Sequence, residues 1–126
     1  MRLRPIDPRL LLVATVLVAA CSGTATPQPS IPTDAIHLSA KDLKFNTAEV
    51  RVPAGKPFTI VLDILESASH DVSIYRDTTW QAAVQKQDPH GGPGTFIFAY
   101  GGIAAGTYAF RCDVHPSMSG TVIVGG

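Results

Sequence analysis

The sequence predicts an all-β domain over residues 35–126, a Greek-key β-sandwich of about seven to eight strands. Three observations point there. Eleven glycines and ten prolines against an aromatic content of 7% make a turn-rich composition. Apolar residues recur with period two in short runs separated by turn residues. No long stretch carries the period of an amphipathic helix, and no segment repeats.

Taken in order, "IHLSA" (36–40) and "KFN" (44–46) flank a shift of apolar phase between Leu38 and Leu43, which predicts a β-bulge. "EVRV" (49–52) runs into the turn "PAGKP". "FTIVLDI" (58–64) sets Phe58, Ile60, Leu62 and Ile64 on one face, and "HDVSIY" (70–75) does so for His70, Val72 and Ile74. Residues 77–94 are the least regular and predict a long loop with a short helix around Trp80–Gln85. "TFIFAY" (95–100) aligns Phe96, Phe98 and Tyr100. After the turn "GGIAAG", "GTYAFRC" (106–112) aligns Tyr108, Phe110 and Cys112, and "GTVIVGG" closes the chain. These parities place His70 at the start of one strand and Cys112 at the end of another, both on core-facing sides. Such strand ends meet at one pole of a sandwich.

The first 34 residues follow different rules. "MRLRPIDPR" carries three arginines, and "LLLVATVLVAA" (10–20) is an eleven-residue apolar run, too short to span a bilayer and the length of a secretory signal core. It ends in "VAAC", which resembles the lipobox of bacterial lipoproteins. That resemblance implies a signal peptide over residues 1–20 and lipidation of Cys21. The protein is then expected to be exported and held by lipid on the extracytoplasmic face of a membrane, or in the periplasm. "SGTATPQPSIPTD" (22–34) cannot bury apolar surface and is expected to be a disordered tether, with an r.m.s. span of about 20 Å. Beyond residue 20 the chain has seven basic and nine acidic side chains, a balance that argues against nucleic acid and names no other partner. A monomer is expected.

Cysteine arithmetic leads to the chemistry. If Cys21 carries lipid, Cys112 has no partner for a disulfide, and an exported thiol needs another reason to exist. Cys112 lies in "YAFRCDVHPSMSG" (108–120) beside His115 and Met118, the only methionine besides Met1. With His70 these make a thiolate, two imidazoles and a thioether. Two histidines and a cysteine with a weak axial methionine is the donor set of blue copper, whereas zinc has little use for a thioether. His115, in the loop, is expected nearer the surface than His70. His37 and His90 have no companion donors in the sequence pattern and are read as structural.

"GTYAFRCDVHPSMSGTVIV" resembles the C-terminal copper loop of cupredoxins, the type 1 blue copper proteins. Its Cys-x2-His-x2-Met spacing is similar to that of amicyanins, whereas plastocyanins have a longer gap before Met. "SHDVSIY" is similar to the family's first-histidine segment. The resemblance covers about residues 36–126 and implies one type 1 copper held by His70, Cys112, His115 and Met118. Asp71 stands where the family usually has Asn, and Asp113 follows Cys112. In the family these two positions lie together and brace the ligand segments. Either the two carboxylates share a proton, or both face water, or Asp71 simply accepts backbone N–H bonds. Val114, where related loops often have Pro, retains an N–H that can reach the Cys112 sulfur.

The implied function is single-electron transfer by Cu(I)/Cu(II) cycling between a redox protein donor and acceptor. Copper binding or delivery is the alternative, although delivery sites favour exposed, releasing ligands. The sequence lacks the second loop cysteine of a dinuclear centre and the histidine clusters of multicopper oxidases. It also lacks a hydrolytic triad pattern and a phosphate-binding glycine loop, so no enzymatic activity is expected.

Overall fold

In the computed structural model, residues 29–125 are described, together with Gly23 and Pro27. Residues 1–20, where a signal peptide is expected, and Cys21 lie outside the described residues, as do several of the expected tether. Eleven strands follow in order: β1 (Ile36–Lys41), β2 (Lys44–Phe45), β3 (Glu49–Val52), β4 (Phe58–Ile64), β5 (Ser69–His70), β6 (Ser73–Tyr75), β7 (Ala83–Gln85), β8 (His90–Gly91), β9 (Gly94–Tyr100), β10 (Gly106–Arg111) and β11 (Ser119–Val124). The count exceeds the predicted seven to eight because β2, β5 and β8 are two-residue ladders too short to show a sequence period.

Two main sheets form the sandwich, in the orders β2-β1-β4-β9 and β3-β11-β10-β6-β7, with β5-β8 as a small third ladder. The chain alternates between layers, so β1 lies parallel to β4, and β3 parallel to β11. The period-two faces meet in one core. Leu38, Ile60, Leu62 and Ile64 from one sheet face Ile74, Phe110 and Val122 from the other, with Val72 just ahead of β6, each no more than 1% exposed. Phe110 also packs on Phe45, with ring centroids 5.4 Å apart. Gly120 is required beside it, because a Cβ there would lie 2.5 Å from both Phe110 Cε1 and the Ala48 carbonyl oxygen.

Two local expectations change. The predicted bulge between β1 and β2 is instead a two-residue hairpin turn, with Lys41 paired to Lys44 and both Asp42 (φ 54°) and Leu43 (φ 55°) left-handed. Neither residue is the glycine that such a turn favours, which left the turn unsignalled. The predicted helix near Trp80–Gln85 is absent. Asp77 instead accepts a bond from the Thr79 N–H (2.9 Å), a local turn that competes with helix, and Ala83–Gln85 pairs with β6 as an edge strand. A ladder irregularity does occur in this pair, at Ile74/Tyr75. Trp80 covers the outer face of the second sheet, edge-on to Tyr75 at 5.5 Å. The Arg111 guanidinium lies 4.9 Å from each of these two rings.

Candidate metal centre

The core faces of β5–β6 and β10 deliver His70 and Cys112 to the same end of the sandwich. Phe110 and Cys112 share the inward side, and β10 ends one residue before the cysteine. The chain then loops over the pole and re-enters at β11, where Arg111 pairs with Ser119. The loop is closed from within. The Cys112 N–H donates to the Met118 carbonyl (2.9 Å), and the Met118 N–H donates to the His115 carbonyl (2.9 Å). These bonds fix the backbone spacing of three donor-bearing residues before any ion binds.

The side chains converge. Cys112 Sγ lies 3.8 Å from His70 Nδ1 and 3.8 Å from His115 Nδ1, and the three donor atoms all lie within 4.8 Å of one another. With bonds of about 2.3 Å to sulfur and 2.0 Å to nitrogen, a trigonal angle near 120° separates the two donors by about 3.7 Å. The residues therefore fit a first-row metal ion in a trigonal S/N/N plane. Their softness suits copper. The Met118 side chain is buried, only 2% exposed, at the inner end of the same loop. His70 and Cys112 are wholly buried, whereas His115 is partly exposed beside the exposed Val114 and Pro116.

Burial pushes the Cys112 thiol above its ordinary pKa, while the N–H groups of Asp71, His115 and Val114 act in the opposite direction. A coordinated cation overrides burial and deprotonates a thiol outright.

Asp71 is fully buried and joins the two ligand segments. Its Oδ1 accepts the Asp113 backbone N–H (2.7 Å), and its Oδ2 accepts the Ser73 hydroxyl (2.6 Å). Ser73 in turn accepts the Gln87 N–H (3.1 Å). The Asp113 carboxylate has other partners: the Tyr75 hydroxyl at 2.6 Å, Arg111 Nε at 2.9 Å and Lys86 Nζ at 2.9 Å. Desolvation alone would raise its pKa, but these three donors hold it down at about 2. Of the three arrangements open for this pair, burial removes the one in which both face water, and the geometry is that of Asp71 accepting a backbone N–H.

Sequence reasoning missed Glu66. Its Oε1 accepts His70 Nε2–H at 2.8 Å and the Leu43 N–H at 3.1 Å, and its Oε2 accepts the Asp42 N–H at 3.1 Å. The Leu43 bond, foremost, and the His70 contact hold its carboxyl below the usual carboxylate range, against desolvation. The only available sequence sign was a Glu-x3-His spacing outside any helix. His37 is exposed on β1. His90 is exposed on β8 and stacks on Phe96 at 4.6 Å, and neither belongs to the donor cluster.

Comparisons with known proteins agree with this geometry. No curated protein sequence matches the chain. Among solved structures, amicyanin from Paracoccus versutus is 28% identical, with a TM-score of 0.57, covering 75% of this chain and 84% of its own. Auracyanin A from Chloroflexus aurantiacus, a "blue" copper protein, is 18% identical with a TM-score of 0.61, covering 71% and 97%. Auracyanin from Roseiflexus castenholzii gives 18%, 0.59, 71% and 95%. The two auracyanins attest the fold alone. The profile of the cupredoxin-like domain matches residues 10–124. With that profile running from the apolar N-terminal segment to the last strand, the chain belongs to the cupredoxin-like family.

Proposed function

We propose that this protein is an exported, membrane-tethered type 1 copper protein that carries single electrons by Cu(I)/Cu(II) cycling. The observation that carries the reading is the buried His70–Cys112–His115 cluster, with sulfur 3.8 Å from each ring nitrogen. Met118 would be the fourth residue to hold the ion. When bound, copper supplies a one-electron couple. The chain's residues keep the donors in place, so that little rearrangement accompanies the change of oxidation state. His70 and Cys112 sit on the sandwich, and His115 and Met118 on a loop held by two backbone bonds.

The surface near the centre supports docking of a redox protein. Val114 (46% exposed) flanks His115, Leu43 (45%) lines a cavity with Ser117 and Met118, and Leu65 (56%) adjoins the residue that holds His70. These are three of the five large apolar side chains found exposed among the described residues, and they gather where an electron would leave through His115. Complete burial of His70 and Cys112 does not favour copper delivery, which needs ligands that release the ion.

The test is the optical spectrum of the copper-loaded protein through reduction and reoxidation. An intense blue band that bleaches and returns is expected. A colourless protein, or one that loses copper on reduction, would remove the electron-transfer reading. Met118→Gln is expected to retain copper and lower the reduction potential, because an oxygen donor favours Cu(II). Loss of all copper affinity in that variant would make Met118 a principal ligand instead.

The tethering reading rests on "VAAC" and Cys21. Cys21→Ala is expected to shift the protein from the membrane to the soluble fraction with its blue band unchanged. An unmodified Cys21 in the mass spectrum of the wild-type protein would count decisively against the anchor.

A further inference from the structure

The ring of His70 is completely buried, and both of its nitrogens are committed: Nδ1 faces the Cys112 sulfur at 3.8 Å, and Nε2 meets Glu66 Oε1 at 2.8 Å. A neutral imidazole has one N–H. A carboxylate on Nε2 requires the proton there, which leaves the Nδ1 lone pair aimed at the donor cluster. The carboxylate itself is held from the other side. Asp42 and Leu43, both left-handed in the hairpin turn between β1 and β2, direct their two N–H groups onto its two oxygens at 3.1 Å each. Asp42 and Leu43 are exposed and their N–H groups could turn to water, but Glu66 cannot leave without stripping the buried imidazole N–H of its partner. The turn tolerates two non-glycine residues in a disfavoured conformation at the point where their N–H groups converge on this carboxylate.

We propose that Glu66, clamped by the Asp42–Leu43 turn, is a positioning residue of the metal centre. It fixes the tautomer and orientation of His70, and its charge biases the bound ion toward the more positive oxidation state. This inference rests on the copper reading and adds an element to the centre. The β1–β2 hairpin, remote in sequence from every donor, becomes part of the apparatus that holds the first histidine. A clamp that merely secured the hairpin would use the same hydrogen bonds but would leave the redox balance alone.

Glu66→Gln and Glu66→Ala distinguish the two roles in the copper-loaded protein. Glu66→Gln removes the charge and keeps an acceptor oxygen. It is expected to retain the blue band and to lower Cu(II) affinity relative to Cu(I) about tenfold, which raises the potential by about 59 mV for a one-electron couple. Glu66→Ala also removes the acceptor. Its His70 Nε2–H, followed by NMR in the diamagnetic Cu(I) form, is expected to exchange with solvent faster than in the wild type. A purely structural clamp predicts lower melting temperatures with a wild-type potential in Glu66→Gln, and that result would overturn the proposal. A wild-type protein without a blue band would remove the copper reading and this inference together. A blue wild type with an unshifted Glu66→Gln potential would remove this inference alone.

Discussion

Cys112→Ser is expected to abolish the blue charge-transfer band completely while the sandwich stays folded. The band belongs to a copper–thiolate bond, and a serine oxygen is a hard donor that does not reproduce it. Cys112 sits 3.8 Å from both ring nitrogens, so the substitution removes the donor shared by both short contacts of the cluster. The fold has little reason to fail. The change is nearly isosteric, the backbone bond from Cys112 N–H to Met118 is kept, and burying a hydroxyl without a partner costs about 1–3 kcal/mol. Circular dichroism should report a native sheet, and copper titration a loss of affinity. A variant that remained blue would mean that the sulfur is not a ligand, and the whole centre would have to be assigned differently.

Phe110→Ala is expected to destabilise the protein by about 3–5 kcal/mol. Phe110 is wholly buried in β10, two residues before Cys112, and its ring fills the space between Phe45 and Gly120. Gly120 has no side chain to fall into the void, and β11 is tied to β10 by six register pairs, so the site collapses poorly. Against the 5–15 kcal/mol typical of a domain, this is a large fraction. Urea unfolding of the metal-free protein measures it directly. A loss below about 1.5 kcal/mol, the range of an Ile→Val trim, would show that the core around Phe110 repacks freely.

Much of this architecture was legible because it depends on local pattern. Period-two runs such as "FTIVLDI" announced their buried faces, and Cys112, His115 and Met118 lie within one loop whose spacing is itself the signal. What stayed hidden depends on partners distant in sequence or on backbone conformations that the residue types disguise. The Asp42–Leu43 turn lacks the Asn-Gly pattern, so a phase shift looked like a bulge. Glu66 has no meaning until that turn folds back over it. The Tyr75 hydroxyl and the Asp113 carboxylate are 38 residues apart, and nothing local links them. For Asp71 and Asp113 the sequence left open a shared proton, exposure to water, or a bond from Asp71 to the backbone. In the fold, one carboxylate is bonded to the backbone and the other is surrounded by Arg111, Lys86 and Tyr75.

The direction of β1 decides which pole receives the N-terminal segment. β1 runs from Ile36, paired with Ile60, to Ala40, paired with Ile64, and then to the turn that grips Glu66 beneath His70. The donor pole thus caps the end of this strand, and Ile36 lies at the opposite pole, about 17 Å away at 3.3 Å per residue. β10 has the same polarity, with Gly106 paired to Val124 at the far end and Cys112 just beyond its last residue. The segment leading into Ile36 therefore joins the sandwich at the pole opposite the donors. Whatever is attached ahead of β1 thus leaves the pole that carries His115 clear for a docking partner.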